Sequence, residues 1–403
     1  MPAWQFLLLG GRVTFCSLLV NRRDFINLGG GMAAAGVVTP ALAVTPVADP
    51  GAMANTIDFQ SDGLGLTPRD YTALLGARAR EQMLSPDSYS VGGLIEELEK
   101  KFAGPLGKEA AVFLPTGTLA NHLAIRKLAG EDRRVLVQAE SHLYNDSGDG
   151  AETLSGLNLI PLAAGEATFS PAEVESWVAR SAGGRVPGKI GVIAIESPVR
   201  RKDHTMFRYE EMARIGAFAR ERGIRLHLDG ARMFNLPRHS GKSLQDYATL
   251  FDTVYVSLWK HFNGTAGAIL AGDRQVIDGL FHVRRMFGGS LPHAWPVVGL
   301  VAQYAETYLD DYASAWRVAE AFLARLEPSG RFQVKKLPQG TSRFFLTVTG
   351  VDADKFSARL RATDIVFPSA QPGTATFGVQ VNPTFNRIAP EKLADRFLAA
   401  LAG

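Results

Sequence analysis

Asp229, Arg232 and Lys260 are residues whose types and places in this chain could do chemistry. In "RLHLDGARMFN" (225–235), an alternating apolar run through Ile224, Leu226 and Leu228 leads into an acid, a glycine and a base. Asp-Gly is a turn dipeptide, so a surface turn is one reading of it. The other is a site, because open α/β sheets bind ligands at the carboxyl ends of their strands. About 30 residues on, "TVYVSLWK" ends a second apolar run on Lys260. Lysine ordinarily takes an exposed position. A lysine partly desolvated at a strand end loses its proton more easily and can attack a carbonyl carbon.

A carboxylate and an amine at the ends of successive strands suit pyridoxal 5'-phosphate (PLP). The carboxylate of Asp229 would keep the pyridine nitrogen protonated, and Lys260 would hold the aldehyde carbon as a Schiff base. The phosphate needs a helix N-terminus. "FLPTGTLANHLAI" offers one: a short strand, Ala111 to Leu114, a small-residue turn, and a helix whose free N–H groups open at Thr116, Gly117 and Thr118. A flat group is wanted over the ring, and His142, in the loop after "RVLVQAES", is the candidate. Other chemistries lack their parts. "SGKS" (240–243) has Leu236 where a P-loop needs glycine, and "GLGLTP" lacks the third glycine of a dinucleotide fingerprint. There is no GxSxG elbow and no HExxH motif, so no metal is expected.

The elements that must position these residues alternate. Strands are expected in "RVLVQAE", "NLIPL", "KIGVIAIESPV", "IRLHLDGAR", "TVYVSLWK" and "AGAILAG", with an amphipathic helix in "RYEEMARIGAFARERG". This order predicts an α/β fold with a mainly parallel sheet covered by helices. Past residue 300 the order changes to a long helix (about Pro296 to Arg325), strands in "FQVKKL", "SRFFLTVTG" and "TATFGVQV", and helices from Asp352 and Pro390. The expected division is a leader over 1–43, an irregular lead-in over 44–60, a PLP-binding large domain over 61–300 and a smaller α+β C-terminal domain over 301–403.

These motifs together resemble the low-specificity threonine aldolases of the β-eliminating lyase group, which are fold-type-I PLP enzymes. The resemblance runs from about Ile57 to Asp273 and thins to Gly289. It implies that Ser61, in "DFQSDGLGLTP", helps hold the substrate carboxylate. It implies that Thr116, Gly117 and Thr118 cradle the phosphate, and that His142 stacks on the ring. Asp229 is then the pyridinium partner, Arg232 faces the cofactor oxygen and the substrate carboxylate, and Lys260 is the Schiff-base lysine. "RRMFGG", with Arg284 and Arg285, resembles a basic segment near the phosphate, of the same or a neighbouring subunit, so a homodimer or homotetramer is expected. The implied reaction is aldol cleavage of a β-hydroxy-α-amino acid to glycine and an aldehyde. β-Elimination, racemisation and transamination on the same scaffold remain open, as does an exported binding protein without turnover. The chain departs from the family pattern where substrate is handled. The turn after Glu196 reads "ESPVRRKDH", and "TATFGVQVNP" shows Gly378 and Gln380 where a carboxylate-binding arginine is expected. Arg200 or Arg201 could bring that charge from another direction.

The N-terminus carries a different message. Arg22-Arg23, then Phe25, Ile26 and Leu28, a Gly/Ala-rich apolar run and Ala41-Leu42-Ala43 resemble a twin-arginine export signal with a small-residue cleavage site. The run is short for a membrane span. Cys16, the one cysteine among 403 residues, lies in that leader, so an exported mature chain has no thiol to mispair. A periplasmic enzyme exported folded, without a stable membrane span, is the expectation. Apolar content of 46%, charged content of 21% and a net charge of +3 with interspersed signs suit a globular enzyme and give no basic tract for nucleic acid.

Overall fold

Strand formation follows the buried apolar runs, and helix starts follow the capping residues. The computed structural model describes residues 56–402. The leader over 1–43, with its paired arginines, and the lead-in up to residue 55 lie outside the described residues. The strands in chain order are β1 (Ile57–Asp58), β2 (Ala110–Leu114), β3 (Arg134–Gln138), β4 (Asn158–Leu162), β5 (Ile190–Glu196), β6 (Arg225–Asp229), β7 (Thr253–Ser257), β8 (Ala268–Gly272), β9 (Phe332–Lys336), β10 (Arg343–Val348), β11 (Ile365–Val366) and β12 (Thr376–Gln380).

Seven of them form the central sheet in the order β2-β8-β7-β6-β5-β3-β4. β8 runs antiparallel to β2 and β7, and the other pairs are parallel. Every residue of β5, β7 and β8 is buried, as expected of strands covered on both faces. Thr116, Ser141 and Ser170 each cap a helix by accepting the backbone N–H three residues on, which fixes where the chain leaves its strand.

The segment after residue 300 adds a three-stranded antiparallel sheet, β12-β10-β9, and the helices Ala353–Arg361 and Pro390–Ala399. The long helix spans Val301–Leu326. It begins later than its apolar pattern suggested because a short helix, Trp295–Val298, and Gly299 precede it. The lead-in read as irregular contributes β1, which pairs in parallel with β11 through Ile57↔Ile365 and Asp58↔Val366. Two-residue strands carry too little periodicity to be seen in advance. The two larger sheets share one apolar core, to which Ile193, Leu228 and Val256 contribute from one and Phe344, Leu346 and Val379 from the other. Among the described residues no helix is long and apolar enough to cross a membrane.

Phe59 ties the start of the described residues to their C-terminal part. Its ring is fully buried and meets Phe322, Phe367, Phe385 and Phe397 with centroids 4.8–6.2 Å apart. Truncating a buried phenylalanine removes its transfer energy and leaves a cavity. Phe59→Ala is expected to lower stability by about 3–5 kcal/mol, read as the shift in a urea unfolding midpoint; a shift under about 1 kcal/mol would contradict this anchoring role.

Candidate functional site

The strand, small-residue turn and helix expected around Gly117 are present. β2 ends at Leu114, Thr116 caps the helix Gly117–Ala129 with its hydroxyl 3.2 Å from the Leu119 nitrogen, and the first N–H groups of that 13-residue helix face outward from the turn. Gly117 has a steric reason to be glycine, because a Cβ there would overlap the Tyr255 hydroxyl. Burial, and then the Asp229 charge, push that phenol up. Beside it the buried Ser257 hydroxyl opposes that rise.

Asp229 ends β6, where it is nearly buried. Asn121 Nδ2 donates to its Oδ2 at 2.6 Å, and the Ala231 N–H donates to Oδ1 at 3.1 Å. Asn121 Oδ1 is 2.9 Å from His227 Nε2, and His227 Nδ1 is 2.9 Å from Thr253 Oγ1. An amide oxygen only accepts, so His227 Nε2 carries the proton and Nδ1 accepts from the threonine. Burial first, despite the Asp229 charge, pulls His227 down to about 4, so it stays neutral.

Lys260 follows β7. Burial first, and then the Arg232 charge, lower its ammonium pKa to about 8. Arg232 itself is clamped by a protein carboxylate. Its Nε and Nη2 each lie 2.8 Å from an oxygen of Asp62, and Gln380 Nε2 donates to Asp62 at 2.7 Å. Burial would raise the Asp62 carboxyl, but the Arg232 guanidinium holds it far below its usual range. Ser61 precedes this aspartate and is positioned by its own N–H, which donates to Asp58. A cavity of about 740 Å³ opens at Lys260, lined also by Ser61, Asp62, Leu66, Tyr71 and Trp259.

His142 starts the short helix after β3 and is tied to the same centre through Glu196. Glu196 Oε2 accepts the His142 N–H at 2.6 Å, and Oε1 accepts the Arg200 N–H at 2.8 Å. In the β5–β6 register Glu196 stands opposite Asp229. Burial, and then the Asp229 charge, raise Glu196 to about 7.

The remaining expected residues sit at the rim. Arg201 and Arg200 both turn onto Asp146, at 3.4 and 2.5 Å, and the His142 Nδ1 is 3.7 Å from the same carboxylate. Arg285 lies over the Tyr89 ring on a helix, Leu280–Met286, that packs against the phosphate helix. Its neighbour Arg284 is buried; its Nη1 donates to the Phe113 carbonyl and its Nη2 to those of Tyr89 and Ser90, while its Nε has no partner. The structure thus gathers Asp229, Arg232, Lys260 and Ser61 at the carboxyl ends of β6 and β7, with His142 linked to them. Asn121, His227 and Asp62 were not singled out, and Glu196 and Gln380 were named only as landmarks, without a role in the site. Two of them left a signal. Asn121 is four residues after Gly117 on the same helix face, and His227 shares the Asp229 face by the period of two.

These residues fit PLP. The turn at Gly117 is bare of side chain, Asp229 can face a ring nitrogen, and Lys260 can bond an aldehyde. Among the described residues no cluster of side chains could hold a metal ion.

The architecture with this site defines a fold-type-I PLP-dependent enzyme. Serine palmitoyltransferase from S. paucimobilis shares the fold with a TM-score of 0.59 at 16% identity, over 86% of this chain and 87% of that one. Residues 58–331 match the beta-eliminating lyase family, and the chain belongs to it. The low specificity L-threonine aldolase of Saccharomyces cerevisiae is 29% identical over 210 residues, 52% of each chain. That of Candida albicans is 31% identical over 202 residues, 49% of this chain and 53% of the relative. The chain spans about half the length of the curated relatives it matches. A solved structure named as an L-allo-threonine aldolase of Listeria monocytogenes EGD-E has a TM-score of 0.68 at 29% identity, covering 87% of this chain and 97% of that one.

The Lys260 amine is a nucleophile only as the free base, and with a pKa of about 8 its free-base fraction rises through that pH. The rate at which apoenzyme captures PLP, followed by stopped-flow absorbance, is expected to climb between pH 7 and 9 and level off above. A rate still rising steeply past pH 10 would show that Lys260 keeps an ordinary lysine pKa.

Proposed function

We propose that this chain is a PLP-dependent lyase that cleaves a β-hydroxy-α-amino acid, threonine-like in its head group, to glycine and an aldehyde. The observation that carries the reading is that the family match over 58–331 contains every member of the assembled site from Ser61 to Lys260. Bound there, the cofactor supplies a protonated ring that accepts the electron pair left on Cα when the Cα–Cβ bond breaks.

The protein's part is positional and electrostatic. Lys260 holds the cofactor and offers an amine that is largely free above its lowered pKa. Asp229, oriented by Asn121, holds the proton on the ring nitrogen. The helix N-terminus at Gly117 anchors the phosphate. His142 covers the ring and, beside Asp146, is the group proposed to take the β-hydroxyl proton. Ser61 lines the cavity at Lys260 where the amino-acid head group would enter, Arg232 is held beside it by Asp62, and Arg201 stands at the rim. The cavity at Lys260, lined by Leu66, Tyr71 and Trp259, has room for a β-substituent larger than methyl. Racemisation is the second reading, because the alanine racemase TOXG of Cochliobolus carbonum is 27% identical over 237 residues.

Two further parts of the proposal concern where and how the enzyme works. The Arg22-Arg23 leader, and a mature chain free of cysteine, support folded export to the periplasm. Exposed Met286 and Tyr89, beside the Arg285 stack near the phosphate helix, support assembly into a homodimer or homotetramer around the site.

Protein purified with PLP is expected to carry a visible absorbance that Lys260→Ala loses, and to release glycine and aldehyde from threonine-like substrates. A bulky β-hydroxy amino acid should give the higher kcat/KM, and Arg201→Ala should lower kcat/KM less than tenfold. Conversion of L- to D-alanine without aldehyde release would favour the racemase reading. Export is checked separately: an Arg22→Lys, Arg23→Lys double variant is expected to shift the enzyme from the periplasmic to the cytoplasmic fraction, and unchanged distribution would reject the twin-arginine route.

A further inference from the structure

An α-amino acid brings a carboxylate into a site whose arginines are largely spent. Arg232 uses Nε and Nη2 on Asp62, and Arg200 and Arg201 both lie on Asp146. Arg343 is differently placed. It opens β10 directly opposite Gln380 of β12, and Phe345 stands opposite Gly378, so these four residues share one face of the small sheet. That face looks onto the site, because Gln380 donates to the Asp62 that grips Arg232.

The Arg343 fork is only partly satisfied. Nη1 is 3.2 Å from Asp203 Oδ1, while Nε is buried with no hydrogen-bond partner. A buried donor left unpaired is costly and calls for an acceptor. The guanidinium lies over a bare position: Gly378 carries no side chain, and a Cβ built there would touch Arg343 Nη2 at 3.8 Å and the Phe345 ring at 3.6 Å. His204 lies in the same neighbourhood, with Nδ1 2.8 Å from Ser342 Oγ. Burial first, and then the charges of Arg232 and Arg343, hold it neutral, so it offers no competing cation.

We propose that Arg343 receives the substrate's α-carboxylate, reaching in from β10 over the bare position at Gly378. The inference rests on the reading that the site takes an α-amino acid, whichever bond is then broken. Arg343 is a binding residue, and its ion pair with Asp203 sets the guanidinium in place. The competing role is a bolt that holds the turn before β10, with no part in binding.

Calorimetric titration of the PLP-loaded enzyme with glycine and with glycinamide separates the two roles. A hydrogen bond to a charged group is worth a factor of about 10 to 100 in affinity. Arg343→Ala is expected to weaken glycine by about that factor and to change glycinamide less than threefold. Asp203→Ala, which removes the bolt and keeps the guanidinium, should preserve the preference for glycine over glycinamide. The double variant Arg343→Ala, Gly378→Arg should recover it, since the new side chain grows into the vacated space. Loss of both ligands to the same extent in Arg343→Ala, or an Asp203→Ala that reproduces the selective loss, would overturn the proposal. A protein that binds glycine selectively yet cleaves no β-hydroxy amino acid would sink the lyase reading and leave this one standing.

Discussion

The site depends on keeping one carboxylate buried and correctly aimed at the end of β6. Asp229 does not meet a cation by hydrogen bond; its charge is met by neutral donors, the Asn121 amide and the Ala231 N–H. An amide is symmetrical enough to be turned end for end, and turned the wrong way it would present oxygen to oxygen. The carboxylate only accepts, so it selects Asn121 Nδ2; Oδ1 is then left to accept from His227 Nε2, whose Nδ1 accepts from the Thr253 hydroxyl. A charge on His227 would not add to this control, and burial removes it. The alternation within β6 places both the tuner and the tuned group on one face, two residues apart.

The second constraint is mechanical. Asp62 comes from the segment after β1, Arg232 from the turn after β6 and Gln380 from the end of β12, and these three side chains hold one another. A bidentate guanidinium–carboxylate pair fixes orientation as well as distance. It therefore registers the segment after β1 and the small sheet against the central sheet beside the cavity at Lys260. Buried pairs of this kind are poor evidence of net stability, because desolvation offsets the attraction. Their use here is to set geometry.

Much of the site was legible in the sequence because it rests on local rules. Asp229 and Lys260 stand out as polar ends of apolar strands, and the Thr116–Thr118 turn as a strand, small residues and a helix. What was not legible depends on long-range register. Glu196 meets Asp229 only because β5 and β6 pair in parallel with that alignment, which neither strand encodes alone. Gln380 and Asp62 are 318 residues apart in sequence. Arg232 was expected to face anions of the ligand; the anion it holds in the fold is Asp62, and a Ser-Asp pair in an irregular opening gave no sign of it. The central sheet followed its apolar runs, whereas β1 was missed because two residues have no period.

Glu196 shows how the two constraints meet. Its oxygens accept N–H groups from the His142 helix and from the Arg200 turn, so one carboxylate spaces both walls of the ring site. Those two donors favour its charged form, while burial and the facing Asp229 oppose it, and the opposition wins by enough to raise it to about 7. The sign of the linkage follows. Between the ordinary value of 4.5 and about 7 the folded chain keeps a proton there that the unfolded chain has lost. The contribution to stability is full below the unfolded value and is lost as pH rises through about 7. A positively charged ring beside Asp229 acts in the other direction, because it favours the ionised pair and so the form of Glu196 that grips both walls. Glu196 thus ties the His142 helix and the Arg200 turn to the charge at Asp229.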